Sequence, residues 1–302
     1  MVELSDVARR LIKLRLQMMV VNEKYKAAEY KIPIHLAFGH EAIAVAIDLS
    51  MTAEDQLICS HRNIHYNLVR ESNLGPVMDE YFLRENGLGR GCLGSMNLAN
   101  PTKKLVYSSS ILGNNLPVAT GLALANDLRE SSAVTFAISG DGAMEEGAFY
   151  ESLVFLSSQN LRGVVVIENN DWSLGTRVKE RRRPIDVKLL SRSVGVDYMR
   201  LSGNDCVTYT TTLRDVVAGV RQRCRPAIIE VDVSTLGEWI LKNDEHPTGK
   251  VINYHAGPAP TVVLTGSPVI ANTIADPVYV LEKQLGCNAI EEIASEMAKK
   301  LG

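Results

Sequence analysis

From Ser5 onward, the stretch SDVARRLIKLRLQMMVVNEKY repeats its apolar residues at intervals of three and four, the spacing that lines one face of a helix. Ser5 is available there as an N-cap. GHEAIAVAIDLSM and NNLPVATGLALANDL read as two further helices, and the Ala and Gly positions of the latter allow close backbone approach. Against these stand three short β-branched runs, Ala133 to Ser139, Val164 to Glu168 and Ala227 to Val233. Continuous apolar strands alternating with helical patterns are the signature of a parallel sheet buried on both faces. The expected fold class is therefore α/β, a mostly parallel sheet with helices on both sides. RENGLGRGCLGSMNLANPTKKLVYSSS has little periodicity and reads as a long loop of the kind that carries function. A second irregular segment is expected over about 237–277, before ADPVYVLEKQLG and a closing amphipathic helix, NAIEEIASEMAKKLG. No internal repeat or low-complexity tract interrupts the chain, so one domain over 1–302 is expected.

Composition narrows this only slightly. A chain of 302 residues with 46% hydrophobic and 22% charged positions can bury one large core. A net charge of −3 and a pI near 6.1 supply no general field for nucleic acid or anionic membrane. The basic run KERRRPID, Lys179 to Asp186, has acidic neighbours and reads as a solvated loop or a local anion contact. Five widely spaced cysteines without a Cys-x-x-Cys pair suit reduced thiols. With no signal-peptide pattern and no apolar run near the roughly 20 residues of a membrane span, the expectation is a soluble, cytoplasmic protein.

The chemistry concentrates in GDGAMEEGAFYESLVFLSSQNLRGVVVIENNDW, Gly140 to Trp172, where Asp141 and Asn170 stand 29 positions apart. Each follows an expected strand, and in an open parallel sheet ligands bind beyond the carboxyl ends of the strands. Gly140 and Gly142 let the backbone approach a bulky group, and a helix beginning near Glu145 would direct N–H groups toward an anion. A carboxylate, an amide oxygen and a nearby carbonyl form a hard-oxygen set suited to Mg²⁺, whose remaining ligands are usually waters and phosphate oxygens. A lone Gly-Asp-Gly is also an ordinary strand-to-helix turn. Together with Asn169 and Asn170, it resembles the thiamine diphosphate motif.

From about residue 8 to 236, and again at ADPVYVLEKQL, the chain resembles the alpha subunit of the first component of 2-oxo acid dehydrogenase complexes of the pyruvate, acetoin and branched-chain type. The resemblance implies the thiamine diphosphate-binding fold, with thiamine diphosphate and Mg²⁺ as cofactors. It assigns the metal to Asp141, Asn170 and the backbone carbonyl of Trp172, with Gly142 and Ala143 beside the cofactor. IPIHLAFGHEAIAVAI is similar to the segment that carries a substrate-side histidine, here His35, with His40 in the usual place of a glutamine. CSHRNIHYNL is similar to the segment that gives Arg62 to the diphosphate and His61 to the substrate side. YSSSILGNNLPVATGLALA places Ser110 and Leu112 where the aminopyrimidine is received. His61 and His65, four positions apart, could instead suggest zinc, but Arg62 stands where a zinc hydrolase carries its general base.

What the resemblance implies about activity is decarboxylation of a small 2-oxo acid, with the acyl or aldehyde unit passed to an acceptor. It also implies a beta subunit that supplies the pyrimidine-binding domain and an activating glutamate, in an α₂β₂ assembly, and a lipoyl acyltransferase as a further partner. Two departures bear on the acceptor. Gly237 falls where the family has a loop histidine, and Asn97 replaces another; His246 and His255 are the substitutes at hand. A carboligase, or a transketolase-like half enzyme, therefore stays open beside the dehydrogenase reading. A non-enzymatic partner-binding subunit is the alternative from another class.

Overall fold

The computed structural model describes residues 3–264 and 266–301. Six parallel strands form the central sheet in the order β2-β1-β3-β4-β8-β7, with β1 at Gln56–Ser60, β2 at Leu105–Ser109, β3 at Thr135–Gly140, β4 at Gly163–Asn169, β7 at Asp197–Leu201 and β8 at Ala227–Asp232. The three runs read as strands from sequence are β3, β4 and β8, and they lie side by side in the middle. Alternate residues of these strands serve two separate cores. Phe136, Ile138, Val164, Val166 and Ile229 face one, while Ala137, Val165, Ile167 and Ile228 face the other. Strands buried on both sides need apolar residues at every position, which is why they read as unbroken runs.

The first core is covered by α1 (Leu4–Lys26), α2 (Glu41–Ser50), α3 (Ile64–Arg70), α4 (Gly75–Tyr81), α9 (Cys206–Arg223), α10 (Pro277–Leu285) and α11 (Cys287–Leu301). The second is covered by α5 (Asn115–Leu128), α6 (Gly147–Ser158) and α8 (Val187–Ser193). The α/β reading with helices on both faces is what the structure shows. All five cysteines are free, with Cys59 and Cys206 buried.

Helix α1 begins one residue before Ser5, with Glu3 at the N-cap position, so the serine lies inside the first turn rather than capping it. The helix is more deeply placed than an amphipathic surface helix. Arg15 in its middle is fully buried and bonds Glu41 at 2.6 Å and Asp276 at 2.8 Å. Asp276 also accepts from Val278 N–H as the N-cap of α10, so one buried arginine joins the starts of α2 and α10 to α1.

Three stretches differ from the sequence reading. The end of the run read as one long loop, Leu105–Ser109, is the edge strand β2. The turn after Gly140 is a 3-10 segment, Asp141–Glu145, and α6 begins only at Gly147, not near Glu145. The supposed irregular segment at 237–277 contains an antiparallel hairpin of β9 (Glu238–Asn243) and β10 (His246–Asn253). Its alternation is hard to read because Ile240 and Val251 are exposed at 56% and 69%, and Pro247 and Gly249 fall where the register shifts. Apolar residues on a solvated face blur the period of two. After Asn253 the described residues do run without helix or strand to Asp276, burying Tyr254, Ala259 and Val262. A second, very short hairpin, β5 (Trp172–Ser173) with β6 (Thr176–Arg177), leads into α7 (Val178–Arg181).

Candidate functional site

Strand β1 lies between β2 and β3, so the chain leaves β1 toward one edge and returns on its other side. Loops diverge at such a reversal and leave a crevice beyond the carboxyl ends of the strands. Here it is a pocket open to solvent. Ser60 to Arg62 enter from β1, Ser139 to Ala143 from β3, and Glu168, Asn170 and Trp172 to Leu174 from β4. The register of β3 against β4 pairs Gly140 with Glu168, which brings the two halves of the opening motif to the same height.

Asp141 is buried and its carboxylate takes Arg181 Nη2 at 2.6 Å. Glu145 accepts from the same Arg181 and from Arg182 Nε at 3.0 Å. Burial pushes the Asp141 carboxyl above the usual range, and Arg181 and the Asn170 backbone amide pull it back. Asn170 donates to Thr235 Oγ1 at 3.0 Å and accepts Trp172 N–H at 3.1 Å, so its amide both anchors and shapes the turn after β4. Asn169 does the same work one residue earlier, accepting Asp171 N–H at 3.1 Å and reaching Glu230 at 3.1 Å. A Cβ at Gly142 would lie 2.9 Å from Ser173 Oγ, so a glycine there lets the β5–β6 hairpin seat on the 3-10 turn.

The donor set suits a hard divalent cation. Asp141 offers an anionic oxygen, Asn170 an amide oxygen with capacity beyond its one bond, and Trp172 a carbonyl one turn on. A cationic group, the Arg181 guanidinium, already rests on Asp141.

Arg62 closes the other side. It is buried, donates to the carbonyls of Leu36 and, at 3.0 Å, of His255, and makes no ion pair among the described residues. Tyr254 lies 6.0 Å from it, measured to the ring centroid. A buried guanidinium held by neutral carbonyls keeps its charge for an anion.

Three histidines gather beside it. His35 stacks edge-on with His61 at 4.8 Å and with His255 at 5.0 Å between ring centroids. Burial, reinforced by the Arg62 charge, lowers the His35 pKa to about 2 and those of His61 and His255 to about 4. All three are neutral imidazoles near pH 7. His61 and His255 line the pocket and His35 stands behind them. Of the two candidate replacements, His255 is the one brought here; His246 starts β10 at the hairpin turn. Gly237 has φ of +109° and a Cβ there would meet Ala259 at 3.3 Å, so the backbone at that position disfavours a side chain.

Of the residues singled out in sequence, His61, Arg62, Leu112, Asp141, Gly142, Ala143, Asn170 and Trp172 line one pocket. Ser110 stands outside that wall, exposed, with its N–H given to Asn97 Oδ1 at 3.0 Å. The zinc pairing of His61 with His65 does not form. Helix α3 starts at Ile64, so His61 precedes it and the four-residue spacing has no helical meaning.

His65 belongs to a network that sequence reasoning missed. Its Nε2 lies 3.0 Å from the buried Glu168 carboxylate, which also accepts from Tyr66 at 2.8 Å and faces His40 Nδ1 at 3.3 Å. Burial opposes ionisation of Glu168, but His65 and His40 more than offset it and hold the group well below the ordinary range. His40 Nε2 then meets Thr235 Oγ1 at 2.9 Å, and Thr235 receives Asn170. Thr235 Oγ1 thus stands between the Asn170 amide and the His40 ring, and His40 Nδ1, without a hydrogen bond of its own, faces Glu168. The glutamate before Asn169 was the available signal, since a carboxylate inside an apolar strand needs partners.

A family model described as the dehydrogenase E1 component matches residues 9–234. The chain is 28% identical over 267 residues to the pyruvate dehydrogenase E1 component subunit alpha of Rickettsia conorii, covering 88% of this chain and 79% of the relative. Its likeness to the subunit of that name from Rhizobium meliloti is 30% over 197 residues, covering 65% of this chain and 57% of the relative. A transketolase structure from Pichia stipitis superposes with a TM-score of 0.60 at 16% identity, over 99% of this chain and 46% of that one, and shows likeness of fold alone.

Proposed function

The chain belongs to the dehydrogenase E1 component family, and from that premise we propose that it is the alpha-type subunit of a thiamine diphosphate-dependent enzyme that decarboxylates a 2-oxo acid. The observation that carries this reading is the meeting of Asp141, Asn170 and Trp172 with Arg62 across one crevice at the strand reversal. Bound thiamine diphosphate would supply the electron sink needed to release CO₂ from a 2-oxo acid.

The chain's own residues bind and orient. Asp141, the Asn170 amide oxygen and the Trp172 carbonyl would hold Mg²⁺, and Arg62 would take the diphosphate oxygens. Arg181 must release Asp141 for a metal to coordinate there, so the present ion pair marks the carboxylate as a position for positive charge. Gly142 and Ala143 give the cofactor a surface without side-chain bulk, and Leu112, 39% exposed, would pack against its ring system. Ser110 would contribute through its backbone only. His61 and His35, neutral at working pH, can donate hydrogen bonds or accept protons at the substrate side without placing a second positive charge beside Arg62. Donation to Thr235 and acceptance from Trp172 N–H fix which way the Asn170 amide faces and leave its oxygen toward Trp172.

An alpha-type subunit acts with a beta-type partner, and we place the pyrimidine-binding half and the activating glutamate on that partner in an α₂β₂ assembly. The position of His255 beside His35 and His61 supports transfer to a lipoyl arm of an acyltransferase, because it adds an imidazole to the substrate side. A cytoplasmic location fits a chain in which no helix of the described residues is long and apolar enough to cross a membrane, although one relative, from Arabidopsis thaliana, is named as mitochondrial.

Co-expression with the partner subunit, followed by 2-oxo acid turnover with thiamine diphosphate and Mg²⁺, tests the proposal. Lipoyl and aldehyde acceptors are run in parallel. Asp141→Ala is expected to lower turnover roughly a hundredfold or more. Wild-type complex that binds neither cofactor would refute the reading, and consumption of aldehyde alone would move the chain to a carboligase.

A further inference from the structure

His35, His61 and His255 come from three separate parts of the chain and meet at the wall of the pocket, each offering one ring nitrogen, with the three nitrogens within 4.8 Å of one another. We propose that these three imidazoles form a binding site for a divalent first-row transition cation such as Zn²⁺ or Co²⁺, with the fourth position open to the cavity. The site is separate from the oxygen donors at Asp141 and takes a different class of ion, because imidazole favours zinc and cobalt where carboxylate and carbonyl favour magnesium.

Geometry carries the proposal. Zinc–nitrogen bonds of about 2.0–2.1 Å in a tetrahedron put ligand nitrogens roughly 3.4 Å apart. Closing from at most 4.8 Å asks for shifts of about an ångström, which side-chain rotation of half-buried His61 and His255 can supply. His35 is only 7% exposed, and its Nδ1 has no hydrogen-bond partner among the described residues. A buried, unpartnered imidazole nitrogen costs free energy that a ligand would recover.

The second histidine cluster, His40 and His65 with Glu168, also has unpartnered Nδ1 atoms, but its Nε2 atoms are bonded to Glu168 and Thr235 and all three residues are buried, whereas His61 and His255 are half-buried at the pocket wall. Arg62 is a like charge beside the cluster, its guanidinium donating to the His255 carbonyl, so a bound cation needs an anionic fourth ligand such as hydroxide or a substrate carboxylate to offset the repulsion. Three histidines with one open position are the donor set of a catalytic or inhibitory zinc site rather than a closed structural one.

The test does not rest on the proposed decarboxylase activity. Co²⁺ is titrated into the full-length chain, co-purified with its partner where the two form a complex, in the presence of excess Mg²⁺ to fill the oxygen site. Stoichiometry is read by equilibrium dialysis and coordination by the visible d–d absorption of four-coordinate cobalt. One equivalent with a four-coordinate spectrum is expected, unchanged in Asp141→Asn. His61→Gln and His255→Gln, both at half-buried positions, should each weaken binding at least about tenfold while the circular dichroism stays native. Binding that Mg²⁺ displaces, that Asp141→Asn abolishes, or that survives both histidine variants would overturn the proposal. So would a purely octahedral spectrum or no binding.

Discussion

At the scale of single residues, protonation is set by burial beside one positive charge. His35, His61 and His255 are held neutral because desolvation and Arg62 both oppose a proton. In the unfolded chain each would take a proton near pH 6.5. Since the folded values are lower, the unfolded state binds more protons between about pH 6.5 and pH 4, and stability falls as pH falls through that window. Each fully coupled group contributes a slope of up to about 1.4 kcal/mol per pH unit, less where solvent reaches the ring. Urea midpoints measured at pH 7.5, 6 and 5 should therefore decline, and His255→Gln should flatten the decline; an unchanged slope would place His255 in solvent. Asp141 and Asn170 were legible in the sequence because each ends an apolar run. Glu168 was not, since its partners His40, Tyr66 and His65 lie more than a hundred positions away and only the sheet brings them to it.

Elements are held to one another by few, deeply placed contacts. Arg15 bridges Glu41 at the first turn of α2 and Asp276 at the cap of α10. Arg15→Met would leave two carboxylates buried without their counter-ion, and a loss of about 3–5 kcal/mol in equilibrium unfolding is expected. Gly39 makes the entry to α2 possible in a different way. Its φ is +94°, and a Cβ would lie 1.9 Å from the Ser234 carbonyl. Gly39→Ala should cost about 3 kcal/mol or more, through strain and displacement of the strand exit that carries Thr235. A stability within 1 kcal/mol of wild type would show that the loop can move aside. The β9–β10 hairpin escaped sequence reading for a physical reason: with apolar residues on both faces its two-residue period vanishes. The 3-10 turn escaped because Gly-Asp-Gly is compatible with either helix.

The molecule as a whole is organised by the order of its strands. Reversal of direction at β1 opens the crevice, and the loops of β1, β3 and β4 fill its walls. A ligand binding only the folded form raises stability by mass action, by about 2.7 kcal/mol at a hundredfold excess over its Kd. Thiamine diphosphate with Mg²⁺ should thus raise the melting temperature of the complex with the beta-type partner, and Arg62→Ala should reduce the shift; equal shifts in both would remove Arg62 from the diphosphate. Local pattern alone determined the α/β class, the three central strands and the pairing of Asp141 with Asn170, because burial on two faces and strand-end glycines leave marks in adjacent residues. Only the tertiary structure decided that His255 rather than His246 joins His35 and His61, that Arg181 rests on Asp141, and that the buried Glu168 meets His65 and Tyr66. Those contacts join residues far apart in sequence, and their free energy comes from shared burial that no single segment possesses before the sheet assembles.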